Sequence, residues 1–353
     1  MRHRVTLIPG DGIGPEVAEA ARLVVDATGV AIDWDIQIAG AQALEREGTP
    51  LPDRVLEAVR RSRTAIKGPI TTPVGTGFRS VNVALRQELD LFAAIRPARR
   101  YAGLPTRHPS VDLVTIRENT EDLYRGIEFE RGAPDTARLR EVVFDIAGYR
   151  IAEDAGVTVK PISITGTLRV VRAGLDFARR NGRRLVTVGH KANIMPFSDG
   201  VFLATAMEVA EEFPEVEVRD MHIDEMAMWL ALEPETLDTL LLPNLYGDIV
   251  SDISAGLVGG LGVAPGANLG WEYAVFEPVH GSAPDIAGRG VADPIAMILT
   301  AAMMLRHLAE TDAADRVEAA VSRLLEEGRT LTPDLGGFAG TMDVAGAVAN
   351  LAG

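Results

Sequence analysis

Asp248 and Asp252 stand four residues apart, directly after Asn244-Leu245-Tyr246-Gly247. In a helix this spacing turns both carboxylates to one side, where they repel unless something positive compensates them. The chain has no cysteine, so a hard oxygen donor set points to Mg²⁺ or Mn²⁺, with Asp224 a candidate third ligand. A solvated acidic helix face is the alternative, weakened by Ile249, Val250 and Ile253, since a carboxylate among apolar neighbours needs a partner. Arg86, Arg96 and Arg117 offer guanidinium forks, and three that converge suit a tricarboxylic acid; spacing alone leaves open whether they meet or form separate ion pairs. Lys191 follows His190 at the end of an apolar strand, where its pKa can be lowered for base work, and Tyr124 is the matching acid candidate. Taken singly, a structural role is the commoner one for either residue, and only their context lifts these two.

Two further stretches suggest a nucleotide. Gly10-Asp11-Gly12-Ile13-Gly14-Pro15 has the spacing Gly-x-Gly-x-Gly, not the Gly-x-Gly-x-x-Gly of a dinucleotide fold, so a standard site of that kind is not supported. The segment from Glu277 to Gly288 offers small residues that let backbone approach a ligand, together with an acid able to bond ribose hydroxyls. A tight packed loop is the other reading of it.

These residues must be held by elements. Val5–Ile8 reads as a strand running through the glycine turn into an amphipathic helix from Pro15, a favoured first helical position. Strands at Ile32–Ile38 and Thr64–Lys67 alternate with helices at Pro52–Arg60 and Ser80–Leu89, the rhythm of a doubly wound parallel sheet. After Arg96-Pro97 the character changes: Val111–Arg117 and Arg140–Asp145 read as strands, and the β-branched, charge-alternating stretch to Pro161 reads as a projecting or dimerising arm. Alternation then returns at Arg169–Asn181, Leu185–Gly189, Gly200–Glu212, Val216–Met221 and Asp224–Leu232. A glycine-rich turn region, Gly256–Gly270, precedes helices at Asp293–Leu308, Ala313–Glu326 and Thr341–Leu351.

The 353 residues suit about two lobes, and the composition, 47% hydrophobic with 5% aromatic, suits a helix-rich α/β protein. A formal net charge of −15 repels nucleic acid and anionic membranes, which leaves neither as an expected partner. The absence of cysteine excludes disulfides, thiolate metal sites and a cysteine nucleophile. With no signal-peptide pattern and no apolar run near the roughly 20 residues of a membrane helix, a cytoplasmic location is expected.

Together the motifs resemble the β-decarboxylating dehydrogenases: isocitrate, 3-isopropylmalate, homoisocitrate and tartrate dehydrogenases. The resemblance runs close to full length, through Leu7-Ile8-Pro9-Gly10-Asp11-Gly12-Ile13-Gly14-Pro15-Glu16, Lys67-Gly68-Pro69, Arg117-Glu118-Asn119, His190-Lys191-Ala192-Asn193, Asn244-Leu245-Tyr246-Gly247-Asp248 and Ser251-Asp252. It continues from Gly259 to Asn268 and into the His280 loop.

The resemblance implies an α/β, two-lobed subunit: a large cofactor-binding lobe from residues 1–98 and 259–353, and a smaller lobe, 99–258, with the dimer interface, the metal site and an arm at about 124–161. It implies a homodimer with shared clefts, in which Arg86, Arg96 and Arg117 grip substrate carboxylates and Tyr124 is the acid. Lys191, the base, and Asp224 would come from the other subunit, Asp248 and Asp252 completing the Mg²⁺ or Mn²⁺ site. Coenzyme contacts are implied for Ile13, Thr72, Glu277, His280, Gly281, Ser282, Ala283, Pro284, Asp285, Ile286 and Asp293. Asp285-Ile286 stands where similar NADP enzymes carry Lys-Tyr, and an aspartate bonds the ribose diol while repelling a 2′-phosphate, so NAD is expected. Ser80 and Asn82 place polar groups where isopropylmalate enzymes present an apolar surface.

The implied reaction is oxidative decarboxylation of isocitrate to 2-oxoglutarate and CO₂ with reduction of NAD; homoisocitrate, 3-isopropylmalate or a related 2-hydroxy acid is the alternative. A non-catalytic regulatory subunit should have lost some of Tyr124, Lys191, Asp224, Asp248 and Asp252, and all five are present. Three positions depart from the family pattern: Asp293 replaces an asparagine, Trp229 a glutamine, and Arg125 a small residue.

Overall fold

The structure, a computed structural model, describes residues 2–71 and 80–353. In chain order its elements are β1 (His3–Ile8), α1 (Gly14–Ala27), β2 (Ile32–Ile36), α2 (Ala41–Glu47), α3 (Asp53–Ser62), β3 (Thr64–Lys67), α4 (Val81–Glu88), β4 (Ala93–Arg99) and β5 (Asp112–Glu118). A 3-10 turn at Asp122–Arg125 leads to β6 (Glu128–Phe129), α5 (Pro134–Ala147), β7 (Val157–Thr158), α6 (Ile164–Arg180), β8 (Leu185–His190), α7 (Asp199–Ala210), β9 (Glu217–His222) and α8 (Ile223–Leu232). Then come β10 (Thr239–Leu242), α9 (Asn244–Val258), β11 (Ala267–Leu269), β12 (Ala274–Phe276), α10 (Ile295–His307), α11 (Thr311–Glu327) and α12 (Thr341–Ala352).

Ten strands form one sheet in the order β2-β1-β3-β12-β11-β4-β5-β10-β8-β9. Most neighbours are parallel, as buried apolar strands joined through helices must be, but β4 runs antiparallel to β5 and β11, and β11 antiparallel to β12. The sheet is therefore mainly parallel, as the alternation of strands and helices implied, with an antiparallel stretch through β12, β11, β4 and β5. Strands from the two chain ends occupy one half of the order and those between Asp112 and Leu242 the other, the halves meeting at the β4–β5 pair.

α10 is apolar and buried on almost every side, with Met297, Ile298, Leu299, Met304 and Leu305 at most 3% exposed. It lies inside the layer of helices α1, α11 and α12. A second core joins α6 and α7 to β5, β8 and β10. No helix among the described residues is long and apolar enough to cross a membrane.

One expected strand is a helix. Arg140–Asp145 lies within α5, which starts on Pro134, has Asp135 in its first turn and stops at Gly148 with φ +68°. The Val142-Val143-Phe144 run suggested a strand, but these start and stop signals decide the element. α5 sits between the paired two-residue strands β6 and β7, and its Val142, Phe144 and Ile146 are exposed.

The N-terminal glycine turn is filled by the protein itself. The Ser282 carbonyl accepts the Ile13 N–H at 2.9 Å. A Cβ on Gly12, at φ +60°, would lie 1.9 Å from that same oxygen. The turn thus docks the 277–288 segment.

Candidate active site

The strand ends β4 and β5 and the start of α9 bring the predicted groups together. Arg117 is wholly buried at the end of β5; Asn244 Oδ1 accepts its Nε at 3.0 Å and Nη2 at 2.7 Å, and its Nη1 donates to Asp248. Arg96 donates to Asp248 Oδ1 at 3.2 Å and to Ser251 Oγ at 2.7 Å, and lies 3.8 Å from Asp252. Arg86, on α4, is buried and donates to Glu277 Oε1 at 3.1 Å. The three arginines therefore converge. Burial first, then the charges of Arg86 and Arg96, pushes the Arg117 guanidinium down to about 9. Arg96 is lowered too, by burial and then Arg86. Such a cluster is short of negative charge, the condition a polyanionic acid corrects.

The Tyr124 hydroxyl donates to Asp248, and the Arg117 guanidinium carbon lies 4.6 Å from the centroid of the Tyr124 ring. Burial, then the Asp248 carboxylate, holds the phenol protonated above its usual range, as a proton donor requires. Burial raises the Asp248 pKa, but Arg117, Tyr124 and Arg96 together outweigh it and leave the carboxyl below its usual range. Asp252 differs: burial and the Asp248 charge raise it against the opposing charge of Arg96, 3.8 Å away. A carboxylate pair at this spacing with one member under-compensated fits a hard divalent cation by donor chemistry.

Asp224 does not join that pair within one chain. It is exposed at the start of α8 and accepts from the Lys191 ammonium, which keeps it ionised. Among the described residues no three His, Cys, Asp or Glu side chains are grouped to hold a metal. The single chain therefore presents two separate groups, one around Asp248 and Asp252, the other Lys191 with Asp224.

Ser80 precedes α4, and Asn82 lies one turn before Arg86 with its buried Oδ1 unpartnered among the described residues. Glu277 is locked between Lys67 at 2.7 Å, Arg86 and Asn268 at 2.8 Å; burial opposes its ionisation, but Lys67 and Arg86 prevail and hold it far below the usual carboxylate range. Its direct role is to position Arg86. Ile13, His280, Gly281, Ala283, Ile286 and Asp293 line one cavity of about 430 Å³ together with Gly262 and Asp334. Pro284 and Asp285 are exposed between lining residues, while Ser282 turns inward, its Oγ 2.7 Å from Thr71 Oγ1. Two polar atoms of the cavity wall, His280 Nε2 and Asp293 Oδ2, are buried without partners. Burial, then Asp334, pushes the Asp293 carboxyl up to about 8. The expected contact at Thr72 lies outside the described residues.

Sequence reasoning gave no role to Asn244, Lys67, Asp334 or Gly262. Asn244 and Lys67 stand inside quoted motifs, so their signal was present; Asp334 had none. Of the departures, Trp229 donates weakly to Glu225 at 3.4 Å and Arg125 is exposed beside Tyr124.

The family description "Isocitrate/isopropylmalate dehydrogenase" matches residues 4–348. The chain is 42% identical over 344 residues to an Arabidopsis thaliana protein named isocitrate dehydrogenase [NAD] catalytic subunit 5, mitochondrial, covering 97% of this chain and 87% of that one. It is 43% identical over 348 residues to the 3-isopropylmalate dehydrogenase of Archaeoglobus fulgidus, covering 99% of each. The crystal structure of isocitrate dehydrogenase from Methylococcus capsulatus superposes with a TM-score of 0.91 at 47% identity, covering 99% of each chain. Convergent arginines beside paired carboxylates, a mixed α/β sheet and these matches agree: the chain belongs to the isocitrate/isopropylmalate dehydrogenase family of oxidoreductases.

Proposed function

We propose that the protein oxidises and decarboxylates a 2-hydroxy acid with a β-carboxylate, isocitrate first among them, using NAD and Mg²⁺ or Mn²⁺ in a homodimer with shared clefts. The observation that carries it is the convergence of Arg86, Arg96, Arg117 and Tyr124 around Asp248, with the Asn82 amide a helical turn from Arg86. A carboxylate arm can accept from the Asn82 amide N–H, whereas an isopropyl group offers that amide no partner. The relative named for 3-isopropylmalate keeps that acid as the second reading.

Asp248 and Asp252 would hold the cation, with Asp224 of a second copy, and the Ile13–Asp293 cavity and the exposed Asp285 would receive the coenzyme. When bound, the cation would supply Lewis-acid stabilisation of the negative charge that develops as CO₂ leaves, and the nicotinamide would supply a hydride acceptor. The arginines fix the carboxylates and so orient the C2–H bond. Lys191 Nζ takes the hydroxyl proton, and the Tyr124 hydroxyl returns a proton to the carbon from which CO₂ leaves. Met228 and Leu232 on α8 and Ile249 and Ile253 on α9 are exposed apolar side chains on the helices that carry the ligands. A second copy covering that face would bring Asp224 to Asp248 and Asp252. The lobes 1–98 with 259–353, and 99–258, would be the bodies that close on substrate.

Purified protein with Mn²⁺ should reduce NAD with isocitrate at a kcat/KM at least about 100-fold above 3-isopropylmalate, the discrimination expected of unpaired buried polar groups. Equal or reversed values remove isocitrate as the substrate. Lys191→Met and Tyr124→Phe homodimers should each be crippled, and mixed dimers of the two should regain activity; no recovery removes the shared cleft.

A further inference from the structure

Lys160 lies between β7 and α6, outside the cleft, yet its ammonium is placed among groups that hold three parts of it. It donates to Asp199, sits 3.8 Å from Asp122 Oδ1, lies 4.8 Å from the centroid of the Tyr246 ring and 3.9 Å from Met195 Sδ. Both carboxylates are buried, Asp199 at 0% and Asp122 at 1% exposure. Asp122 Oδ1 has no hydrogen-bond partner, so the Lys160 charge is its compensation. Two buried carboxylates around one ammonium are strongly destabilised if the ammonium is taken away.

Each of the two carboxylates grips a catalytic segment. Asp199 Oδ2 accepts the Lys191 N–H at 2.8 Å, fixing the turn that presents the Lys191 side chain. Asp122 Oδ2 accepts the Leu245 N–H at 2.8 Å, in the first turn of the helix that carries Asp248 and Asp252. Asp122 also begins the turn bearing Tyr124, with its own N–H on the Pro161 carbonyl at 2.9 Å and its backbone at φ +61°, a conformation that a non-glycine residue keeps only when its surroundings impose it. Tyr246, whose phenol is raised by burial and then by Asp199, closes the cluster from α9.

We propose that Lys160 is a positioning residue that locks the Tyr124 turn, the metal-ligand helix α9 and the Lys191 turn into one geometry through Asp122 and Asp199. This rests on the reading of the cleft given above, and it deepens that reading: if Tyr124 and Lys191 of one chain serve different clefts, Lys160 mechanically couples the two clefts of the dimer. The coupling is carried by a continuous run of named contacts, Leu245–Asp122–Lys160–Asp199–Lys191.

Lys160→Met alone strands two carboxylates and can unfold the protein. The double variant Lys160→Met/Asp199→Asn removes one charge of each sign, keeps an amide oxygen for the Lys191 N–H and leaves Asp122, without Lys160, the Leu245 N–H as its partner. It should form dimers of normal size, with kcat reduced roughly 10- to 100-fold and the coenzyme KM unchanged, as expected for misplaced reacting groups. Lys160→Arg should restore part of the rate. In the substrate-free protein, amide hydrogen exchange at residues 191–195 and 245–248 should accelerate together in the double variant. A folded double variant with undiminished kcat and unaltered exchange overturns the proposal. In mixed dimers of double variant and native subunits, activity should fall clearly below half the native value, because one altered chain harms its own Tyr124 cleft and the cleft to which it lends Lys191. Half activity, alongside recovery in the Lys191→Met and Tyr124→Phe mixture, removes the coupling and leaves the shared cleft standing; absence of that recovery removes both.

Discussion

Asp293 shows how a single side chain can tie the geometry of the cavity it lines to stability. Its Oδ1 accepts the Ile295 N–H at 2.9 Å while Oδ2 faces the cavity unpartnered, with Asp334 nearby. In the folded protein it holds its proton up to about pH 8, against 3.8 for an unperturbed aspartate. Between those values the native state binds the extra proton, so the stability contribution is complete at the acid end and is lost as pH rises toward 8. Asp293→Asn carries no such charge. It should melt above the native protein at pH 8.5, by at least about 1 kcal/mol of unfolding free energy, with the gap closing toward pH 5. An equal difference at both pH values would show that the carboxyl is ionised throughout. Residues of this scale were legible where type and spacing coincide, as for Asp248 and Asp252. Asn244 stood inside a quoted motif without its role and Lys160 outside any, because their chemistry lies in partners far along the chain: 127 residues separate Asn244 from Arg117, and 39 separate Lys160 from Asp199.

At the scale of elements, α9 and β5 touch so closely that a glycine is required between them. A Cβ on Gly247 would stand 2.6 Å from Cβ and Cγ of Arg117. Gly247→Ala should therefore displace the Arg117 fork from Asn244 and Asp248, lowering kcat/KM for the hydroxy acid by about 100-fold, while the coenzyme KM stays within about twofold. Steady-state kinetics with each substrate varied in turn decides this, and unchanged hydroxy-acid kinetics would mean that the helix shifts instead. Long apolar-periodic elements such as α6, α10 and α11 were readable in the sequence. β4 was missed because Ala93-Ala94-Ile95-Arg96-Pro97 has little strand propensity and a proline; pairing with β5 and β11 imposes the extended form. α5 was misread because its β-branched run is exposed, so burial periodicity could not reveal a helix.

For the whole molecule, the exposed apolar side chains of α8 and α9 set the assembly expected in solution. Leu232, 60% exposed, should lie near the centre of that contact. Leu232→Glu should move the protein toward monomer in light scattering and abolish most activity at dilute concentration, since one chain alone keeps Lys191 and Asp224 apart from Asp248 and Asp252. A fully active monomer would contradict this. The sheet order has a different consequence, for synthesis. β3 is flanked by β12, and α1 packs against α12, so the first hundred residues of a nascent chain leave the ribosome with no neighbour for one strand edge and no cover for one helix. The segment spanning β5 to α9 has most of its partners within itself and can close during translation, whereas the amino-terminal strands must wait, shielded by a chaperone or by their own collapse, until the last helix emerges.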